Sequence, residues 1–159
     1  MKNFVSREEI INIRKKLKEE NKKVVFTNGV FDILHPGHVD YLNKAKALGD
    51  ILIVGLNSDA SVKRIKGEKR PIFNQEERGN LLASLKPVDY VSIFEEDTPF
   101  NIISDIIPDI LVKGGDWSID NIVGRDIVEA NGGLVTNIKF ITSQSTSNII
   151  NTILKRYDA

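Results

Sequence analysis

The run Ile51-Leu52-Ile53-Val54-Gly55-Leu56 carries no polar side chain at any position. A strand with one wet face alternates apolar and polar residues, so an unbroken run this short reads as a strand covered on both faces. Comparable apolar runs recur over 23–27, 89–93, 109–113 and 134–140. Helical patterns separate them. Ser6 with Glu9 makes a capping box, Val5 can staple onto Ile10, and Ile10, Ile13 and Leu17 form a docking stripe. Further helices are expected over 37–48, from about Asp59, and after Asn74, whose Glu77 completes a second capping box. In the last of these, Leu81, Leu82 and Leu85 are expected to face inward. Thr98-Pro99 opens another helix as N-cap and first-turn proline, with Ile102, Ile103, Ile106 and Ile107 as its buried stripe. A helix over 121–130 stops at Asn131-Gly132-Gly133, and Ser145 opens a terminal helix carrying Ile149, Ile150, Ile153 and Leu154. Strands alternating with helices demand right-handed crossovers. The expected fold is therefore α/β: a Rossmann-like, doubly wound parallel sheet of about five strands with helices on both faces. Such sheets bind ligands beyond the carboxyl ends of the strands, where the strand order reverses.

The 159 residues suffice for a single domain, 1–159. Twenty-two basic against 22 acidic residues argue against a protein that grips nucleic acid or anionic lipid by bulk charge. The absence of cysteine excludes disulfides, thiolate nucleophiles and Cys-ligated metals, and with two histidines a three-histidine metal site is impossible. No segment reaches the roughly 18 apolar residues of a membrane span. Glu8, Glu9, Glu19 and Glu20 make the N-terminus unlike a targeting peptide, so the expected location is the cytoplasm.

Both histidines lie in Thr27-Asn28-Gly29-Val30-Phe31-Asp32-Ile33-Leu34-His35-Pro36-Gly37-His38, directly after the first strand and at the start of a helix. Residues three apart share a helix face. His35 and His38 can therefore point together at an object above the helix N-terminus, where free backbone N–H groups and the dipole favour an anion such as phosphate. Gly37 would let the ligand approach the backbone. Two surface histidines at a helix start, or a metal site completed by Asp32, are the competing readings. No G-x-G-x-x-G or Walker motif occurs. A second feature is the basic stretch Lys63–Arg70, with Lys63, Arg64, Lys66, Lys69 and Arg70 against Glu68 alone. It reads as a loop that closes over phosphates, or as a solvated surface.

The stretch from Thr27 to Asp32 followed by His35-Pro36-Gly37-His38 resembles the H-x-G-H signature of the cytidylyltransferase-like nucleotidyltransferases. Gly49-Asp50, Asn57-Ser58-Asp59, Lys63–Gly67, Arg70-Pro71, Glu77-Arg78, Val88-Asp89, Phe94–Pro99, Lys113–Asp116 and Ser145–Ile150 follow in order. That set is similar to the adenylyltransferase half of the bacterial ADP-heptose synthases. It covers about residues 22–154 and leaves the N-terminal helix (1–21) outside. The resemblance implies ATP, with Mg²⁺, and D-glycero-D-manno-heptose 1-phosphate as substrates, giving ADP-heptose and pyrophosphate for cell-surface glycan synthesis. It implies His35, His38 and Lys66 as catalytic residues, with Lys63 the second candidate lysine. Nucleotide contacts would come from Asn28, Gly29, Phe31, Gly37, Asn57, Asp59, Lys63, Arg78, Lys113, Gly114, Gly115, Asp116, Ser145, Thr146 and Ser147. Asp32, Arg70 and Trp117 would contact the acceptor, no protein residue would hold a metal, and a homo-oligomer, dimer or higher, is expected. An ion pair for Arg78, a simple turn for Lys113–Asp116 and plain helix capping for Ser145–Ser147 stay open beside these roles. So do a cytidylyltransferase acting on glycerol 3-phosphate, a non-catalytic nucleotide-binding module and a tRNA-synthetase-like fragment.

Overall fold

The computed structural model describes residues 3–115, 118–139 and 145–157. Five strands, β1 (Val24–Gly29), β2 (Ile51–Asn57), β3 (Tyr90–Phe94), β4 (Ile110–Gly114) and β5 (Leu134–Ile138), form one parallel sheet in the order β3-β2-β1-β4-β5. The winding runs outward from β1 through β2 to β3, then returns to β4 on the other side of β1. The order therefore reverses between β1 and β4.

Helices cover both faces. The helices are α1 (Arg7–Glu19), α2 (Pro36–Lys46), α3 (Asp59–Lys66), α4 (Gln75–Ala83), α5 (Phe100–Ile106), α6 (Arg125–Ala130) and α7 (Thr146–Tyr157). Val24, Phe26, Ile53, Leu111 and Val135 pack on one face against Ile10 and Leu17 of α1, Ile102, Ile103 and Ile106 of α5, and Val128 of α6. Val25, Leu52, Val54, Leu56 and Val112 pack on the other against Tyr41, Leu42 and Ala45 of α2 and Leu82 of α4. Consecutive residues of the strands thus enter opposite layers, which is why the strand centres read as continuous apolar runs.

Both capping boxes form, Ser6 with Glu9 and Asn74 with Glu77. Arg14 on α1 is also buried. Its guanidinium donates to the carbonyls of Ile106 and Ile107 at 3.1 and 2.9 Å and to the Asp109 carboxylate at 3.1 Å, capping the end of α5. The chain before α1 adds to the sheet edge: Val5 N–H donates to Val91 and Val91 N–H donates to Asn3.

Several expectations are corrected. β1, β2 and β4 run on through the polar or glycine positions Asn28-Gly29, Asn57 and Gly114, because the neighbouring strand supplies ladder partners there. β5 ends at Ile138, and Phe140 lies outside the described residues. Lys63, Arg64 and Lys66 are not loop residues but the last turn of α3, where cations complement the helix dipole. Leu81 is exposed, while Leu82 is buried and Leu85 half-buried. α5 is capped at Pro99 without a side-chain bond, and Ile107 leaves the stripe by turning left-handed at φ 44°. A 3-10 turn (Ile119–Asn121) takes the start of the helix expected at 121–130. α7 buries none of its side chains among the described residues; Ile153 and Leu154 are about half exposed.

Candidate active site

A cavity of about 500 Å³ opens at the carboxyl ends of β1 and β4, the point where the strand order reverses. Its first wall is the turn that leaves β1: Asn28, Gly29, Val30, Phe31 and Asp32. Phe31 sits in the left-handed region at φ 46° and folds its ring back over Gly29. A Cβ on Gly29 would lie 2.9 Å from that ring, so this position admits only glycine without displacing the aromatic. The ring also packs on His38, with centroids 5.2 Å apart.

His35 is the N-cap of α2, Pro36 its first residue, and His38 lies one turn further. The two imidazoles stack, with centroids 3.8 Å apart and planes 31° from parallel. Neither Nδ1 atom has a partner among the described residues, although both are buried. Burial lowers the pKa of His35. Burial and then the neighbouring His35 push His38 down to about 4. At pH 7 both rings are therefore neutral, each with one N–H and one bare nitrogen. His38 lines the cavity. His35 instead lines a shallow apolar groove beside Leu34, Pro36, Val39 and Leu85. The structure brings the pair together, but only one of them faces the cavity.

Opposite stand Ile65 and Lys66 from the last turn of α3, and Asp97, Thr98 and Pro99 after β3. Lys113 of β4 and Asn121, Ile122 and Val123 close the third side, and Ser145, Thr146 and Ser147 the fourth. Ser145 Oγ accepts from Asn148 N–H at 3.1 Å, so it caps α7, and Thr146 Oγ1 donates to the Ile33 carbonyl. The first turn of α7 is thus aimed at the turn carrying the histidines.

Charge in the cavity is lopsided. Asp32 is fully buried, and its carboxylate accepts from Arg70 at 2.6 Å and from the backbone N–H groups of Ile72 and Phe73. Asp97 is held by Arg64 at 2.6 Å. Both cavity carboxylates are therefore already neutralised. Lys66 and Lys113 form no ion pair among the described residues. Burial, and then the charge of Lys66, lower the pKa of Lys113, so the two ammonium groups feel each other across the cavity. A pair of cations left facing each other in a partly dry site is stabilised by a polyanion between them.

Of the residues expected at the site, Asn28, Gly29, Phe31, Asp32, His38, Asn57, Lys66, Arg70, Lys113, Ser145, Thr146 and Ser147 line the cavity. Gly37 is buried in the first turn of α2, and Lys63 points to solvent. Gly114 ends β4, and Gly115, at φ 97°, turns the chain while its N–H donates to Ile138. Asp116 and Trp117 lie outside the described residues. Arg78, expected among the nucleotide contacts, has no exposed side-chain surface and does not line the cavity. It donates to the carbonyls of Val30, Asn57 and Phe73 and to the Asp59 carboxylate, at 2.7–3.0 Å. Asp59 is occupied by the same contact. Arg78 ties the turn after β1 to the end of β2 and the start of α3, so it shapes the cavity from behind. Val30, Ile65, Asp97–Pro99 and Asn121–Val123 also line the cavity and were not expected there. Asp97, Thr98 and Pro99 could have been found by the rule that sites follow strand ends; Asn121–Val123 carry no such signal.

Residues 26–156 match the family model described as Cytidylyltransferase-like. The chain belongs to the cytidylyltransferase-like nucleotidyltransferases. The match begins inside β1 and leaves α1 outside. Among curated relatives, the bifunctional protein HldE of Citrifermentans bemidjiense is 61% identical over 136 residues, covering 86% of this chain and 28% of the relative. Its counterpart in Geobacter sulfurreducens is 56% identical over 140 residues, 88% of this chain and 29% of that protein. The one in Wolinella succinogenes is 53% identical over 150 residues, 94% and 31% respectively. The chain therefore spans less than a third of the length of these relatives. A crystal structure described as the lipopolysaccharide core biosynthesis protein from Thermoplasma volcanium superposes with a TM-score of 0.63 at 32% identity, covering 77% of this chain and 99% of that one.

Proposed function

We propose that the cavity binds ATP and D-glycero-D-manno-heptose 1-phosphate and joins them into ADP-heptose. One oxygen of the sugar phosphate attacks the α-phosphorus in line, the bond from that phosphorus to the β,γ-diphosphate oxygen breaks, and pyrophosphate leaves. The observation that carries this reading is the placement of His38, Lys66, Lys113 and the α7 N-terminus around one cavity whose own carboxylates are already paired. Two anions must meet in this reaction, and unpaired cations with preorganised N–H donors offset their repulsion most in the transition state. His38, neutral at pH 7, would donate its N–H to the phosphate bridge, with His35 stacked against it to fix the ring. Lys66 and Lys113 would neutralise phosphate oxygens, and the hydroxyls and free amides of Ser145, Thr146 and Ser147 would hold a further one. Asn28, Gly29 and Phe31 would seat the nucleotide along the end of β1. Arg70, fixed by Asp32, would face the acceptor.

Among the described residues no group of three His, Asp or Glu side chains gathers to cage a metal ion. Mg²⁺ belongs to this reading as part of the MgATP substrate. The volume of about 500 Å³ suits a nucleotide, since ligand cavities run about 300–1,000 Å³. The choice of heptose rests on the ordered resemblance to ADP-heptose synthases and on relatives named HldE.

The test is a pyrophosphate-release screen that crosses ATP, CTP, GTP and UTP with heptose 1-phosphate and glycerol 3-phosphate. Release with ATP and the heptose phosphate is expected. Release confined to CTP would replace the substrate assignment, and nucleotide binding without release under any pairing would make the chain a binding module.

A further inference from the structure

The wall formed by Asp97, Thr98 and Pro99 has little regular backbone structure to hold it. Residues 95–99 belong to neither strand nor helix. Side chains from two helices pin this segment. From α3, Ser61 Oγ donates to the Glu96 carbonyl at 2.9 Å, and Arg64 donates to the Glu95 carbonyl and to the Asp97 carboxylate, both at 2.6 Å. The wall and α3 are thereby one unit, and that unit carries Lys66. From α1, Arg7 donates to Glu96 at 2.8 Å and to Asp105 of α5 at 2.8 Å. Its guanidinium thus ties the wall to α5, the helix that follows it, while Asn101 donates to the same Glu96 oxygen at 3.0 Å. Arg7 and Asn101 together hold the Glu96 carboxyl at about 2, well below the usual range, against the burial that would raise it.

Arg7 is itself anchored. It is the first residue of α1, behind the Ser6 cap, and the residues before it bond to β3 on both sides of Phe4. Phe4 fills the space over Gly79, where a Cβ would lie 2.4 Å from its ring. All of this precedes residue 26, where the family match begins.

We propose that Arg7 is a positioning residue: through Glu96 and Asp105 it fixes the wall 95–99, and with it the α3 turn that places Lys66 in the cavity. The N-terminal segment is then part of the frame of the active site rather than an appendage. This inference rests on the proposed nucleotidyl transfer for its kinetic consequence but not for its mechanical one. Arg7 and Glu96 are each about a third exposed, so their ion pair contributes little to global stability. Misplacing a charge-stabilising group by a fraction of an ångström costs far more in rate.

The experiment compares wild type with Arg7→Ala, Arg7→Lys, Glu96→Ala and the Arg7→Ala/Glu96→Ala double variant. Amide hydrogen exchange without any nucleotide should show residues 95–99 and 63–66 opening faster in Arg7→Ala. Thermal melting should stay within a few degrees of wild type. With ATP and the sugar phosphate, kcat should fall about tenfold or more while KM for ATP changes little. Arg7→Lys should recover part of the loss, and the double variant should lose no more than the worse single one. Unchanged exchange at 95–99 and 63–66, or kcat within twofold of an active wild type, overturns the proposal. If wild type transfers no nucleotide yet exchange responds to Arg7, the functional reading has failed and the clamp stands.

Discussion

Replacing Arg78 by methionine separates an internal clamp from a ligand contact. Methionine keeps much of the volume but removes every donor. The carbonyls of Val30, Asn57 and Phe73 lose an N–H partner, and the Asp59 carboxylate loses its cation at 2.7 Å. Each buried acceptor left bare costs about 1–3 kcal/mol, and breaking a buried ion pair by removing one member costs about 3–5 kcal/mol. The Asp59 side chain is a third exposed, so water replaces much of what its ion pair supplied. The three carbonyls then dominate, and from the lower part of their range about 3–5 kcal/mol is expected in total. In a domain of this size about 2–4 °C accompanies each kcal/mol, which places the fall in Tm at roughly 6–20 °C. Differential scanning calorimetry in the absence of nucleotide measures it directly. A fall below about 2 °C combined with a large rise in KM for ATP would refute the reasoning, since that is the behaviour of a ligand contact and not of a clamp.

Two further outcomes follow from single positions. Gly79→Ala should push Phe4 off its seat, lower stability by about 1–3 kcal/mol and expose the amides of Val5 and Val91 to exchange; retained protection at both would contradict the packing described. The pKa of His38 is about 4 folded against an ordinary 6.5, so the unfolded chain binds protons more readily and stability falls as pH drops from 6.5 towards 4. His38→Gln should flatten most of that slope in urea titrations, and an unchanged slope would locate the acid sensitivity elsewhere.

Much of the architecture was legible because it is written in periodicity. Strands buried on both faces show as continuous apolar runs, and the capping boxes at Ser6 and Asn74 mark helix starts through bonds a sequence displays. The strand ends were less legible. Asn28-Gly29 and Asn57 look like loop, and only the neighbouring strand supplies the ladder that extends them. Arg14 and Arg78 were invisible as core residues, because an arginine is ordinarily a surface residue and its burial depends on carbonyls brought from distant segments. The same reason hid Arg7, whose partners lie 89 and 98 residues away. Lys63 and Lys66 illustrate a finer limit. Their charge marked a phosphate-facing segment, but only the helical turn of α3 decides that Lys66 faces the cavity and Lys63 faces water.

The histidine pair carries the central claim, because it was the strongest signal in the sequence and yet only His38 lines the cavity. Steady-state pyrophosphate release with saturating ATP and heptose 1-phosphate, comparing wild type with His38→Ala, tests it most directly. Loss of one preorganised donor at the developing charge predicts a fall in turnover of about 10²–10³-fold with the fold intact. Turnover within about threefold of wild type would contradict the role given to His38.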